Sequence, residues 1–227
     1  MNRIDDMLER LPPEKRALLE LRLARETQRL GISDSTIQPR DRSQPAPLSF
    51  AQQRLWFLNC LGADDGQYNV TRAIRVEGPL DRKALSRALG ELVTRQEILR
   101  TTYVLIDEKP HQRVDPPPPF ELYYTDLSTL DSTARQSILH QGLEAESARP
   151  FDLTTDLMMR AHLYRQGPDN HTLLLIMHHV ASDAWSMGIA LRELAALYAA
   201  EAQQQVPALS ELPFQYADYA AWERQRL

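Results

Sequence analysis

Cysteine is almost absent. Cys60 stands alone among 227 residues, which excludes an intramolecular disulfide and any thiolate metal cage built within one chain. That usage fits a reducing, cytoplasmic setting. Long apolar runs are lacking too: the longest, Leu173 to Met177, falls far short of the ~20 residues needed to span a bilayer, so no membrane association is expected. The opening residues, Met1-Asn2-Arg3-Ile4-Asp5-Asp6, are charged and carry no secretory apolar core. Positive charge is not in excess either. Lys and Arg total 26 against 31 Asp and Glu, a formal net charge of -5, with the arginines scattered among acidic residues; nucleic acid is therefore not an expected partner. No internal repeat is evident. What is present is an ordinary globular balance, 43% apolar and 25% charged, enough for a sizeable core.

Along the chain, leucines at 11, 18, 19, 21 and 23 alternate with charged residues, and Pro12 and Pro13 suit a helix start, so an amphipathic helix is expected from about Pro13 to residue 30. Gly31 to Pro47 is rich in Ser, Asp and Pro and has linker composition. A boundary near residue 46 follows, with 1–45 as a helical docking or linker segment and 46–227 as the globular part. Ser49 can cap a helix carrying Leu55, Trp56, Leu58 and Leu61. Val70–Val76 reads as a strand. Pro79 and Asp81 introduce an amphipathic helix with Leu85, Leu89, Leu92 and Val93, and Leu99–Ile106 reads as a second strand. The run Pro116 to Pro119 is an extended loop leading to Phe120–Thr125. A helix over Asp131–Ser147 precedes a hairpin of Leu157–Tyr164 with His171–Met177, turning at Gly167-Pro168-Asp169-Asn170. Trp185–Gln204 and Phe214–Arg226 are helical, separated by Pro207 and Pro213. Helices interleaved with strands and a hairpin predict a layered α/β sandwich with a mixed sheet.

The chemistry is concentrated in Met177-His178-His179-Val180-Ala181-Ser182-Asp183-Ala184-Trp185-Ser186, where an apolar strand ends in two histidines shortly before a helix. Adjacent strand residues point to opposite faces, so one imidazole enters the core and the other faces a cleft. They do not converge on one ligand, and no metal is expected. Asp183 either caps the helix near Trp185 or forms a buried salt bridge that fixes the turn. Spacing alone does not decide between a catalytic pair and a pair of core and surface histidines.

Four segments, in order, resemble the signature motifs of nonribosomal peptide synthetase condensation domains. Leu48-Ser49-Phe50-Ala51-Gln52-Gln53-Arg54-Leu55-Trp56-Phe57-Leu58 is similar to the opening motif. Arg95-Gln96-Glu97-Ile98-Leu99-Arg100-Thr101-Thr102-Tyr103 resembles R-H-E-x-L-R-T-x-F, with Gln96 in place of His. The histidine stretch resembles H-H-x-x-x-D-G, with Ala184 in place of Gly, and Tyr216-Ala217-Asp218-Tyr219-Ala220-Ala221-Trp222 resembles Y-x-D-[FY]-A-x-W. The resemblance covers about residues 46–227, leans towards the subtype that joins two L residues, and implies a chloramphenicol acetyltransferase-like sandwich of which this chain holds the N-terminal lobe.

The resemblance further implies that His179 is the catalytic residue, facing both thioester substrates, with His178 and Asp183 as supporting structure. Asp183 is implied to be held by an arginine of the second motif, Arg95 or Arg100. A Cβ at Ala184 matters only where the backbone needs positive φ or a close approach of the pantetheine arm, and a tolerated methyl is expected. The implied reaction is amide formation between aminoacyl or peptidyl groups on phosphopantetheine arms, with no cofactor bound directly. Its implied partners are an upstream donor and a downstream acceptor carrier protein and the C-terminal lobe of the same domain; an upstream synthetase subunit could engage residues 1–45. The alternatives are a coenzyme A-dependent acyltransferase of the same superfamily and a noncatalytic carrier-binding fragment; the half domain alone is expected to be inactive.

Overall fold

The computed structural model describes residues 36–62 and 66–226. The helix expected over residues 13–30 lies outside them. Residues from Pro39 onward group as one compact unit, separate from those up to Gln38. Its first residues, read from composition as linker, are tied down: the Arg40 backbone N–H donates to Asp218 Oδ1 at 2.9 Å, and Arg42 pairs with Glu97 at 2.9 Å.

The described elements run β1 (Ala46–Pro47), α1 (Phe50–Cys60), β2 (Asn69–Glu77), α2 (Arg82–Arg95), a 3-10 turn (Glu97–Arg100), β3 (Thr101–Ile106), β4 (Lys109–Val114), β5 (Leu122–Asp126), α3 (Ser132–Ala148), β6 (Met159–Gly167), β7 (Asn170–His178), α4 (Ala184–Gln203) and α5 (Tyr216–Arg226). They form two sheets, an antiparallel one ordered β1-β4-β3 and a mixed one ordered β2-β7-β6-β5, in which only the β5–β6 pair is parallel. No described helix is long and apolar enough to cross a membrane.

The hinge of the architecture is β7, whose continuous apolar run buries both faces. Leu173, Leu175 and Met177 pack with Leu85, Leu89 and Leu92 of α2 and with Met187, Leu194 and Leu197 of α4. Leu174 and Ile176 face the other way, into a cluster with Tyr103, Phe151, Met158 and Val180 beside the partly buried Leu139 and Leu143 of α3. Each fully buried leucine contributes about 1.5–3 kcal/mol. Spacing of three and four residues puts Leu85, Ala88, Leu89, Leu92 and Val93 on one stripe of α2, and Asp81 caps it by accepting from the N–H groups of Lys83 and Ala84.

One expected strand and one unforeseen strand reshape the middle of the chain. Glu97–Arg100 is a 3-10 turn, so the strand read from Leu99 begins at Thr101. It pairs with β4 through a two-residue turn in which Asp107 and Glu108 both take positive φ, 48° and 61°. That conformation suits a tight hairpin, although the turn lacks the usual Asn-Gly or Asp-Gly.

His162 of β6 is half-buried, stacked on Tyr164 with ring centroids 4.1 Å apart, and its Nε2 lies 2.9 Å from Thr125 Oγ1. Burial holds its pKa below the usual imidazole value, against the pull of Glu146 and aided by Arg149. The folded state therefore favours neutral His162, while the unfolded chain takes up a proton as pH falls through about 6.5. This contribution to stability is full above that pH and declines as the pH drops towards the lower folded-state value. The urea midpoint should fall between pH 7.5 and pH 5.0, and by less in His162→Gln. Equal falls in the two proteins would show that His162 carries none of the acid sensitivity.

Candidate active site

The end of β7 and the start of α4 build the site. His178 is completely buried, with the rings of Tyr68 and Phe151 set edge-on at centroid distances of 6.3 and 5.8 Å. Its Nδ1 accepts the Val180 backbone N–H at 3.0 Å, and its carbonyl accepts the Ala181 N–H at 2.9 Å. The side chain of His178 thus shapes the turn that follows it.

His179 continues the alternation of β7 and falls on the side of Met177, the face covered by α2 and α4. Its backbone N–H donates to the Tyr68 carbonyl at 2.8 Å, and its Nδ1 lies 2.8 Å from the Ser182 carbonyl oxygen. A carbonyl only accepts, so Nδ1 carries the proton. In the neutral ring Nε2 is then left with the free lone pair, on a side chain that lines a cleft of about 530 Å³. The two histidines diverge, and among the described residues no group of three or more His, Cys, Asp or Glu is placed to hold a metal.

All four motif-like segments reach this cleft. Ala51 and Leu55 come from α1, Gln96 and Ile98 from the segment after α2, Tyr216 and Tyr219 from α5, and Ile189 joins the histidine turn from α4. A buried polar network joins three of them. Ser49 and Gln52 form a capping box at the start of α1. Gln52 Nε2 donates to Tyr103 Oη and Gln112 Oε1, each at 3.1 Å, and Ser49 Oγ lies 3.0 Å from Tyr216 Oη. Burial, together with the nearby Glu223 and Asp183, pushes the Tyr216 phenol up despite the Ser49 contact, so it stays protonated and can donate in the cleft near neutral pH.

Asp183 is the N-cap of α4. It accepts the Ser186 N–H and the Ser186 hydroxyl, each at 2.7 Å, and the backbone and then the hydroxyl bond hold its carboxyl below the usual carboxylate range. The expected bridge to Arg95 or Arg100 is not formed: among the described residues neither pairs with Asp183. Arg95 is engaged by Glu193 at 3.1 Å and by the Ser210 carbonyl at 2.7 Å, because the C-terminus of α2 packs beside the middle of α4 rather than its start. Arg100 donates to the Asp115 carbonyl at 2.5 Å and approaches Glu97 at 3.7 Å. Ala184 is the first helical residue of α4 and is not among the non-glycine residues with positive φ, so its methyl group meets no backbone penalty.

Glu193 was not singled out by sequence reasoning, yet it is a buried carboxylate in the wall of the cleft. The signal lay in the spacing. It shares a stripe with Met187, Ala190, Leu194 and Leu197, where a charge must be paired to be tolerated.

Comparison with known proteins gives the family. The family model described as Condensation domain matches residues 42–227. The chain is 42% identical over 199 residues to a linear gramicidin synthase of Brevibacillus parabrevis, an alignment covering 87% of this chain and 3% of that protein. It is 37% identical over 217 residues to phosphinothricin tripeptide synthetase PhsC of Streptomyces viridochromogenes, covering 96% of this chain and 20% of that one. Among solved structures, the X-domain in complex with OxyB from teicoplanin biosynthesis superposes with a TM-score of 0.76 at 30% identity, over 85% of this chain and 41% of that one. The first condensation domain of the CDA synthetase gives 0.68 at 23% identity, over 74% and 42%, a likeness of fold. The chain therefore spans about two-fifths of these solved chains and a small part of the synthetases. By the matched family model and these relatives, it belongs to the condensation-domain family of nonribosomal peptide synthetases.

Proposed function

We propose that this chain is the N-terminal lobe of a domain that forms an amide between two carrier-bound thioester substrates, with His179 at the reacting amine. The observation that carries this reading is the side chain of His179, fixed through Nδ1 on the Ser182 carbonyl and lining a cleft that all four motif-like segments reach.

In the reaction the amine nitrogen of the downstream aminoacyl group attacks the carbonyl carbon of the upstream thioester. The C–N bond forms, the C–S bond breaks, and the proton released by the amine ends on the departing sulfur. His179 Nε2 accepts a hydrogen bond from the amine, orients its lone pair and stabilises the positive charge that develops on nitrogen. An α-amine titrates near about 8, so roughly a tenth is already neutral at pH 7, and orientation carries more weight than proton removal. His178, Asp183 and Ala184 shape the turn that presents the ring. The largely apolar walls suit the neutral arms and acyl groups of such substrates.

The proposed partners are the donor and acceptor carrier proteins, each presenting its substrate on a phosphopantetheine arm, and a C-terminal lobe that completes the chamber. On the pattern of leucines and charges over residues 13–30, the proposal extends to docking of the residues before Pro39 on an upstream synthetase. The exposed Cys60 suits work in a reducing compartment.

The test is single-turnover transfer by the full-length protein containing this chain, comparing donors loaded on carrier protein with the same acyl groups on coenzyme A. The reading predicts dipeptidyl product from the carrier-loaded donor in large excess. Equal use of the coenzyme A donor with a small-molecule amine would favour the acyltransferase alternative, and no product from either would favour a noncatalytic fragment.

A further inference from the structure

Glu193 makes contacts that the proposed chemistry does not use. It is 8% exposed on the buried stripe of α4. Its Oε1 accepts from Arg95 Nε at 3.1 Å and its Oε2 accepts from Gln96 Nε2 at 2.8 Å. Removing one partner of such a pair leaves a buried charge uncompensated, so the three side chains act as a unit.

Arg95 carries this unit onward. Its Nη2 donates to the Ser210 carbonyl at 2.7 Å, and its own carbonyl accepts from Gln215 Nε2 at 3.0 Å. Gln215 Oε1 in turn accepts the Glu97 N–H at 3.1 Å. Ser210 and Gln215 belong to the strap that runs from Gln204, the left-handed cap of α4, to the start of α5. The strap lies between two cavities. Leu212, Phe214 and Gln215 line the cleft of His179, while Pro207, Leu209 and Glu211 line a second cavity of about 300 Å³, which Leu212 and Gln215 also border. Apart from Leu209, which packs on the core, and the half-buried Leu212 and Gln215, the strap is exposed, so its polar anchors carry much of what holds it.

We propose that Glu193 is a positioning residue: by orienting Arg95 and Gln96 it anchors the 204–215 strap and so sets the wall of the substrate cleft on the side of Leu212 and Phe214. The consequence for catalysis rests on the functional reading above; the anchoring of the strap does not.

The experiment therefore has two arms. In the full-length protein, amide hydrogen exchange followed by mass spectrometry should show the 205–215 peptides of Glu193→Ala exchanging about tenfold faster than wild type, the size expected for one lost anchor. Peptides from β6 and β7 should be unchanged, and Glu193→Gln, which keeps an acceptor for Arg95, should fall between. Gln215→Ala loosens the same strap without stranding a charge and keeps the test decisive if Glu193→Ala does not fold. In transfer assays the Glu193 variants should raise KM for the carrier-bound substrate more than they lower kcat, because the turn of His179 is untouched. Unchanged strap exchange in folded Glu193→Gln and Gln215→Ala would overturn the proposal. So would a loss confined to kcat. Loosened strap peptides in a protein whose wild type forms no amide would uphold the anchoring and sink the functional reading instead.

Discussion

Replacing His179 with alanine in the full-length protein should lower amide formation by about a hundred- to ten-thousandfold, the range typical of a positioned acid–base group, with thermal stability unchanged. The side chain lines the cleft, and among the described residues its polar contact is to the Ser182 carbonyl at 2.8 Å. Truncation therefore removes little of the structure, unlike truncation of His178, which is buried between two aromatic rings and bonded to the Val180 N–H. Comparing His179→Ala with His179→Asn separates the two roles open to the imidazole. Asparagine can accept a hydrogen bond from the amine but cannot take its proton. If orientation dominates, Asn should recover a measurable part of the activity; if proton removal dominates, Asn and Ala should be alike. Wild-type transfer by His179→Ala would remove this residue from the mechanism.

The largest loss of stability is expected from Gln52→Ala. Gln52 is 1% exposed and binds the Ser49 N–H, the Tyr103 hydroxyl and the Gln112 side-chain carbonyl at 2.9, 3.1 and 3.1 Å. Alanine leaves these three buried groups short of a partner and removes half of the capping box. Each unsatisfied group costs about 1–3 kcal/mol, so a total of about 3–4 kcal/mol and a fall in Tm of roughly 10 °C should follow. The Tyr103 phenol offers no relief, since burial pushes its pKa up and keeps it neutral. Thermal melts of Gln52→Ala beside the exposed neighbour Arg54→Ala check this; Arg54→Ala should stay within about 0.5 kcal/mol. Equal melting of the two variants would mean that the buried network carries no net stability.

Physical pattern explains what could be read before the structure. The apolar run of β7 and the stripe of Leu85, Leu89, Leu92 and Val93 on α2 are strong periodic signals, and both elements form where periodicity puts them. The parity of a strand separated one core histidine from one cleft histidine without any coordinates; that His179 is the one in the cleft came from the motif resemblance. Other features had no local signal. Lys109–Val114 contains Pro110, His111 and Arg113, does not alternate cleanly, and becomes β4 only because β3 and β1 pair with its two edges. The first residues of the strand read from Leu99 were claimed by a 3-10 turn, where Leu99 can bury its side chain against α2. Resemblance suggested an arginine for Asp183, but the partners of Arg95 are set by how α2 packs on α4, a tertiary fact that no motif spells out. Glu193 could have been noticed as a charge on an apolar stripe; its link to the strap could not.

The central claim is that the free nitrogen of His179 faces the place where amine and thioester meet. Its most direct test is a crystal structure of the complete domain with a non-transferable aminoacyl-pantetheine amide bound. The account predicts the ligand's amine within hydrogen-bond distance of His179 Nε2, with Nδ1 still on the Ser182 carbonyl. An amine bound elsewhere in the chamber, with the imidazole turned away from it, would contradict the account.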